Sequence, residues 1–182
     1  EDAIKLFSKS IELQPEDYYS WYNRGIAKSM LDLYEDALPD FDQTVKLAPD
    51  YKKGYLNRGT TKKHLTDYEG ALSDYSFAIK LDKNYADAYC NLGLTLEGAG
   101  NAKEAAVATR IALTINPDLH QAQENLGVWL LSLKQYEEAE IELKKAITKK
   151  SDLKENLLFC LLMQNKDKEF YKLLEYRISE FK

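Results

Sequence analysis

Residues 21–49 read WYNRGIAKSMLDLYEDALPDFDQTVKLAP, and the features of this stretch return along the chain at a fixed interval. Gly25, Gly59, Gly93 and Gly127 follow one another at steps of 34 residues. Ala3, Ala37, Ala71, Ala105 and Ala139 keep the same step, and so do Pro15, Pro49 and Pro117, with Lys83 at the intervening position. A constant period of this length marks stacked structural repeats, each touching mainly its neighbours. Within each period, apolar residues recur at three- and four-residue spacing in two segments, which is helical and not strand periodicity. The expected fold is all-α: a right-handed superhelical solenoid of antiparallel helix pairs.

The recurring phases carry a steric logic. Glycine inside a helix costs about 1 kcal/mol against alanine, so glycine at one phase of four repeats requires a packing reason. Gly in the first helix and Ala in the second let two backbones approach closely. Phe41, Tyr75 and Leu143 fill the groove beside them, and Trp21, Tyr55 and Tyr89 fill the gap between units. Full units are expected at 18–51, 52–85, 86–119 and 120–153, with residues 1–17 as the second helix of a further pair. Turns fall at Asp32-Leu33, Thr66-Asp67, Gly100-Asn101 and Lys134-Gln135, and Asp50, Asn84 and Asp118 are placed to cap first helices. Arg24 and Arg58 occur in the same two units as Asp40 and Asp74, sixteen residues on, whereas Leu92 and Leu126 accompany Ala108 and Glu142. That co-occurrence predicts Arg24–Asp40 and Arg58–Asp74 ion pairs.

A large aromatic, then Gly, Ala, Phe or Tyr, and Pro on this period resembles the tetratricopeptide repeat (TPR). The resemblance covers essentially the whole chain as a single TPR solenoid, 1–182, most strongly 1–153. Residues 154–182 depart from it: helices are expected near 154–164 and 168–181, with Leu161 and Leu173 where Gly and Ala would stand. Bulkier residues there should widen the crossing, so this degenerate pair reads as a C-terminal cap.

Composition narrows the function classes. A net charge of −5 and pI near 5.2 speak against a nucleic-acid partner, which would leave a basic footprint. No apolar run approaches the ~20 residues needed to span a bilayer, so no membrane insertion is expected. Cys90 and Cys160 read as free thiols, which slightly favours the cytoplasm while leaving localisation open. His64, His120 and the cysteines match no zinc spacing, Gly93, Gly98 and Gly100 precede no Gly-Lys-Ser/Thr, and no nucleophile elbow occurs. Neither an enzyme nor a cofactor is expected.

The TPR resemblance implies a concave groove lined by first helices. Carried over by position, that face holds an amide column, Asn23, Asn57, Asn91 and Asn125, again at steps of 34. An amide donates and accepts at once, so it can pair with a peptide backbone without reading side chains. The column resembles the asparagine ladder of O-linked N-acetylglucosamine transferase; the alternative is a family default that satisfies local groups. Around it stand Tyr19, Tyr22 and Ile26 in the first unit, Lys53, Lys63 and His64 in the second, and Leu94 in the third. The second unit has seven basic and four acidic residues, a balance of +3. The carboxylate clamp for chaperone C-terminal tails is not matched: its positions hold Tyr22 and Ile26, Leu56 and Thr60, then Asp87 and Gln121. The expected function is a protein-interaction scaffold that holds an extended peptide or helix in this groove. Two alternatives stay open: a targeting region of a larger enzyme, such as a glycosyltransferase, kinase or phosphatase, and self-association through the N-terminal end near Leu6 and Phe7.

Overall fold

The computed structural model describes residues 1–146 and 153–179. Among these residues there are eleven helices and no strand. In chain order they are α1 (Asp2–Leu13), α2 (Tyr18–Ser29), α3 (Tyr34–Leu47), α4 (Lys52–His64), α5 (Tyr68–Leu81), α6 (Ala86–Gly98), α7 (Ala102–Ile115), α8 (His120–Ser132), α9 (Tyr136–Ala146), α10 (Leu153–Met163) and α11 (Asp167–Ser179). The chain divides into two compact units, Glu1–Ala99 and Gly100–Lys182. In the first, each helix from α1 to α5 packs on its successor, and α2, α4 and α6 also adjoin in order. In the second, α7 packs on α8, α8 on α9, α9 on α10 and α10 on α11. The all-α expectation of stacked helix pairs is met within each unit. The expected end of repeat 120–153, and the tail of the last helix at 180–181, fall partly outside the described residues.

Close approach at glycine is the packing rule. A Cβ on Gly25 would lie 2.9 Å from Phe41 Cε1, and one on Gly59 would lie 2.8 Å from Tyr75 Cε1 and 3.2 Å from the Ala71 carbonyl. In the second unit, a Cβ on Gly127 would lie 2.8 Å from Leu143 Cδ2. The facing Ala37, Ala71 and Ala139 are fully buried, as are Phe41, Tyr75 and Leu143. The turns follow the same period: Asp32, Thr66, Gly100 and Lys134 all take the left-handed conformation, with φ of 59°, 63°, 84° and 60°. The next residue then closes a helix end, as in the N–H of Asp67 donating to the Lys62 carbonyl at 2.9 Å, the six-residue bond of a Schellman motif.

The helix caps differ from expectation. Tyr51, Tyr85 and Leu119, not Asp50, Asn84 and Asp118, occupy the N-cap positions of α4, α6 and α8, and none makes a side-chain cap bond. The expected acids and amide sit one residue too early to reach the free N–H groups. Asp17 caps α2 through Tyr19 and Ser20, and Asp67 caps α5 through Gly70.

The two expected ion pairs are present, and each is larger than a pair. Arg24 forks onto Asp40 at 3.0 and 2.6 Å, and Lys28 adds a contact at 2.8 Å. Arg58 forks onto Asp74 at 2.9 and 2.6 Å, again joined by a lysine, Lys62, at 2.8 Å. The third guanidinium donor reaches back to the preceding pair: Arg24 to Ser8 at 3.1 Å, Arg58 to Asp42 at 2.9 Å. One arginine therefore ties three helices. Asp40 is only 1% exposed, so its charge depends on these donors.

The second unit uses a different buried acid. Glu140 of α9 accepts from Lys144 at 2.5 Å, Gln164 at 2.9 Å and Lys166 at 2.7 Å. Burial opposes its ionisation, but the bonds from Lys144, Lys166 and Gln164 override this and hold its pKa at about 2, below the ordinary 4.5. Leu161 is buried against Leu143 and Leu157, with Phe170 and Leu173 packed beside them. A hollow of about 440 Å³ opens between Leu157, Leu161, Leu173, Lys144, Glu169 and Lys172. On α1, Leu6 and Leu13 are each 72% exposed, whereas Phe7 is half-buried.

Three measurements check this account. Gly59→Ala should lower stability in guanidinium unfolding by about 1–3 kcal/mol, outweighing the propensity gain of about 1 kcal/mol. Stabilisation would show that the Tyr75 wall gives way. Asp74→Ala should cost about 3 kcal/mol because it strands two half-buried cations, and Arg58→Leu added to it should recover much of that loss. A folded-state pKa below the unfolded value stabilises fully above pH 4.5 and is lost as pH falls towards 2. Glu140→Gln should therefore flatten the acid side of the pH–stability curve over that window; an unchanged curve would assign the acid sensitivity elsewhere.

Candidate functional site

The groove positions of the first unit lie on α2, α4 and α6. Lys53, Asn57, Thr60 and His64 fall at three- and four-residue steps, so α4 presents them as one stripe. Asp87, Asn91, Leu94 and Gly98 form the same stripe on α6, and Tyr19, Asn23, Ile26 and Met30 form it on α2.

The asparagines share one local bond. Asn23, Asn57 and Asn91 each donate from Nδ2 to the carbonyl four residues back, at 2.8, 2.9 and 3.1 Å. A carbonyl can only accept, so it fixes the amide orientation and turns Oδ1 away from the helix backbone. The rungs are nevertheless unequal. Asn57 also donates to Tyr22 Oη at 3.0 Å, which spends its second N–H. Asn23 and Asn91 each keep one N–H, and among the described residues the Oδ1 of all three accepts nothing. In the second unit, Asn125 Oδ1 accepts from Gln121 at 3.3 Å, and Phe159, half exposed, stands 34 residues further on.

Beside Asn57 is a tyrosine cluster that single-position reasoning only half identified. Tyr19 and Tyr22 belong to it, but so do Tyr18 and Tyr51. Tyr51 sits 5.1 Å, centroid to centroid, from both Tyr18 and Tyr22, and Tyr19 sits 6.2 Å from Tyr22. Burial pushes the Tyr51 phenol well above its ordinary value, aided by its tyrosine neighbours, and burial does the same to Tyr22. These groups are therefore neutral hydrogen-bonding phenols at any physiological pH. The available signal was the step of 34 linking Tyr51 to Tyr85, whose own pKa burial and Asp87 push up to about 12. Tyr19 remains 52% exposed, an apolar and hydroxyl-bearing surface open to solvent.

The basic residues behave differently from one another. Lys52 pairs with Asp82 at 2.5 Å and Lys62 with Asp74 at 2.8 Å, whereas Lys53 and Lys63 make no ion pair among the described residues. Lys63 is half-buried, and that burial lowers its pKa, only partly opposed by Cys90 on α6. Burial and then Asp87 raise the Cys90 thiol. His64 stacks flat on Tyr34 at 4.2 Å, and burial followed by Lys63 lowers its pKa, so its ring is mostly neutral near pH 7. Ile26 and Leu94, within the α2 and α6 stripes, are half-buried. No cluster of metal-ligating side chains and no helix long and apolar enough to cross a membrane occurs among the described residues.

Comparisons with known proteins agree with this geometry. Models described as tetratricopeptide or TPR repeats match residues 6–38, 66–100, 86–119 and 120–150. The chain belongs to the tetratricopeptide repeat family. No curated protein matches it in sequence. Among solved structures it is similar to YrrB, titled a TPR protein with an unusual peptide-binding site (TM-score 0.78, 21% identity, 95% of this chain and 91% of that one). It is also similar to MamA from Desulfovibrio magneticus RS-1 (TM-score 0.74, 22% identity, 80% and 82%). A third likeness is to a thermophilic TPR protein of Thermus thermophilus (TM-score 0.69, 24% identity, 87% and 89%). Identities at this level speak for the fold alone.

Proposed function

We propose that the chain is a protein-interaction scaffold without catalysis of its own, holding an extended polypeptide along the groove helices α2, α4 and α6. The observation that carries this reading is the shared orientation of Asn23, Asn57 and Asn91. Each amide is pinned by one bond to its own helix, yet its carbonyl is left without an intramolecular partner among the described residues. A side chain held in place and only partly satisfied loses little entropy when it pairs with a peptide backbone. Main-chain pairing suits an extended ligand, because every peptide unit offers both an N–H and a C=O. The YrrB likeness is consistent with peptide binding on this fold.

The inequality of the rungs sharpens the test. Asn23 and Asn91 can each donate and accept, whereas Asn57 can only accept, so Asn91→Ala should cost more affinity than Asn57→Ala. Asn23→Ala and Asn91→Ala should each weaken binding of an extended peptide by about 1 kcal/mol and Asn57→Ala by less, read by fluorescence anisotropy, with circular dichroism unchanged. If Asn23→Ala and Asn91→Ala together leave affinity untouched, the amides serve only their own helices and the groove reading loses its support.

A further inference from the structure

Resting on that groove reading, we propose that the first unit selects acidic polypeptide segments: Lys53 and Lys63, at opposite ends of α4, each meet a separate ligand carboxylate, while Tyr19 and Tyr22 on α2 meet a neighbouring apolar or aromatic side chain.

Charge is distributed unevenly along the chain. The whole is acidic at −5, and yet its second repeat has seven basic residues against four acidic ones. Three of the seven are committed within the fold: Lys52 to Asp82, Lys62 to Asp74, and Arg58 to Asp74 and Asp42. Lys80 lies over the Phe77 ring on α5, away from the α4 stripe, and Lys83 lies in the turn that follows α5. On the groove helix, this leaves Lys53 and Lys63, neither with a counter-ion among the described residues. The uncommitted positive charge of the groove helix is thus Lys53, on the stripe that carries Asn57, and Lys63, beside that stripe toward α6.

Lys63 is the more telling of the two. A solvated surface lysine extends into water, but this one is half-buried between α4 and α6, near Cys90, with no carboxylate paired to it among the described residues. A partly desolvated ammonium without a partner is a favourable place for an incoming carboxylate, which would restore the pairing that water no longer supplies. Lys53 stands at the start of the same stripe, one turn before Asn57, and is exposed. Asn57 joins the two chemistries, because its amide donates to Tyr22 Oη and its carbonyl is unpaired. The charged groups facing this region from the neighbouring helix are Asp87 and, further along, Glu97, both on α6 and both exposed. They place the negative edge of the groove one helix away and disfavour acids there, so the preferred register puts the ligand acid over α4. Successive groove helices touch directly, so a single interhelical spacing of roughly 8–10 Å separates them. A ten-residue extended segment, at about 3.3 Å per residue, is therefore long enough to cross all three.

The test uses the whole chain and two fluorescein-labelled decapeptides, one alternating Glu with Phe and its twin with every Glu replaced by Gln. The acidic peptide should bind at least about tenfold more tightly than its twin at low salt, with the gap narrowing as salt rises. Lys53→Gln with Lys63→Gln should erase the gap while leaving affinity for the neutral twin unchanged. Lys53→Glu, which alters only an exposed side chain, should invert the preference and serves as the check if the double variant folds poorly. Equal affinities for the two peptides, or a preference indifferent to the lysines, would overturn the acidic selectivity. In that event, sensitivity of the neutral peptide to Asn23→Ala and Asn91→Ala would show that the groove reading survives; if neither peptide binds, both ideas fall. Displacement by an oligothymidylate as effective as by the acidic peptide would also overturn the proposal, since the site would then read charge alone.

Discussion

Two helices can approach only as closely as the atoms between them allow, and in this chain the closest point carries no Cβ. At Gly25 and Gly59 an aromatic ring occupies the space a methyl group would need, and at Gly127 a leucine does. Each contact fixes the spacing of one helix pair, and that spacing determines what else can meet. The arginine forks reach their aspartates because the pair is tight. Asn57 reaches Tyr22 because α2 and α4 are held side by side. Where leucine replaces glycine, Leu161 is itself buried against Leu143 and Leu157.

The two units answer the same steric demand with different chemistry. In the first, buried aspartates are held by guanidinium and ammonium groups drawn from neighbouring helices. In the second, Leu126 and Leu130 pack against Ala106, Ala139 and Cys160, and one buried glutamate gathers Lys144, Gln164 and Lys166. Neither arrangement is interchangeable residue by residue. A buried carboxylate loses stability if a single donor is removed, whereas an apolar contact degrades in proportion to the volume lost.

How much of this could be read in advance depended on whether repetition carried the signal. Gly, Ala and the large residue opposite them recur often enough that their joint purpose follows from phase alone. The Arg–Asp pairs were legible because both partners appear and vanish together. Lys28 and Lys62 were harder, since they join the same aspartates from one turn further along the helix, and Ser8 and Asp42 harder still, since they come from the preceding pair. The caps were misplaced because a one-residue shift separates Asp50 from the N-cap at Tyr51. In the groove, residue type identified Asn23, Asn57 and Asn91, but only geometry distinguishes an amide with a free N–H from one that has spent it on Tyr22. Tyr18 and Tyr51 escaped notice because a cluster is a property of two segments at once.

The buried arginine–lysine–aspartate groups have an electrical side as well. Each gathers two cations around one carboxylate, so Asp40 with Arg24 and Lys28 retains a surplus positive charge. The group around Asp74 is balanced instead, because Asp42 supplies Arg58 with a second carboxylate. Charges fixed inside a low-dielectric scaffold are screened by salt far less than mobile surface side chains. A molecule that repels anions at long range would thus still project a persistent local field around α2. Encounter, and not only the final complex, would then be oriented: an approaching acidic chain is turned toward one stretch of the protein before any contact forms.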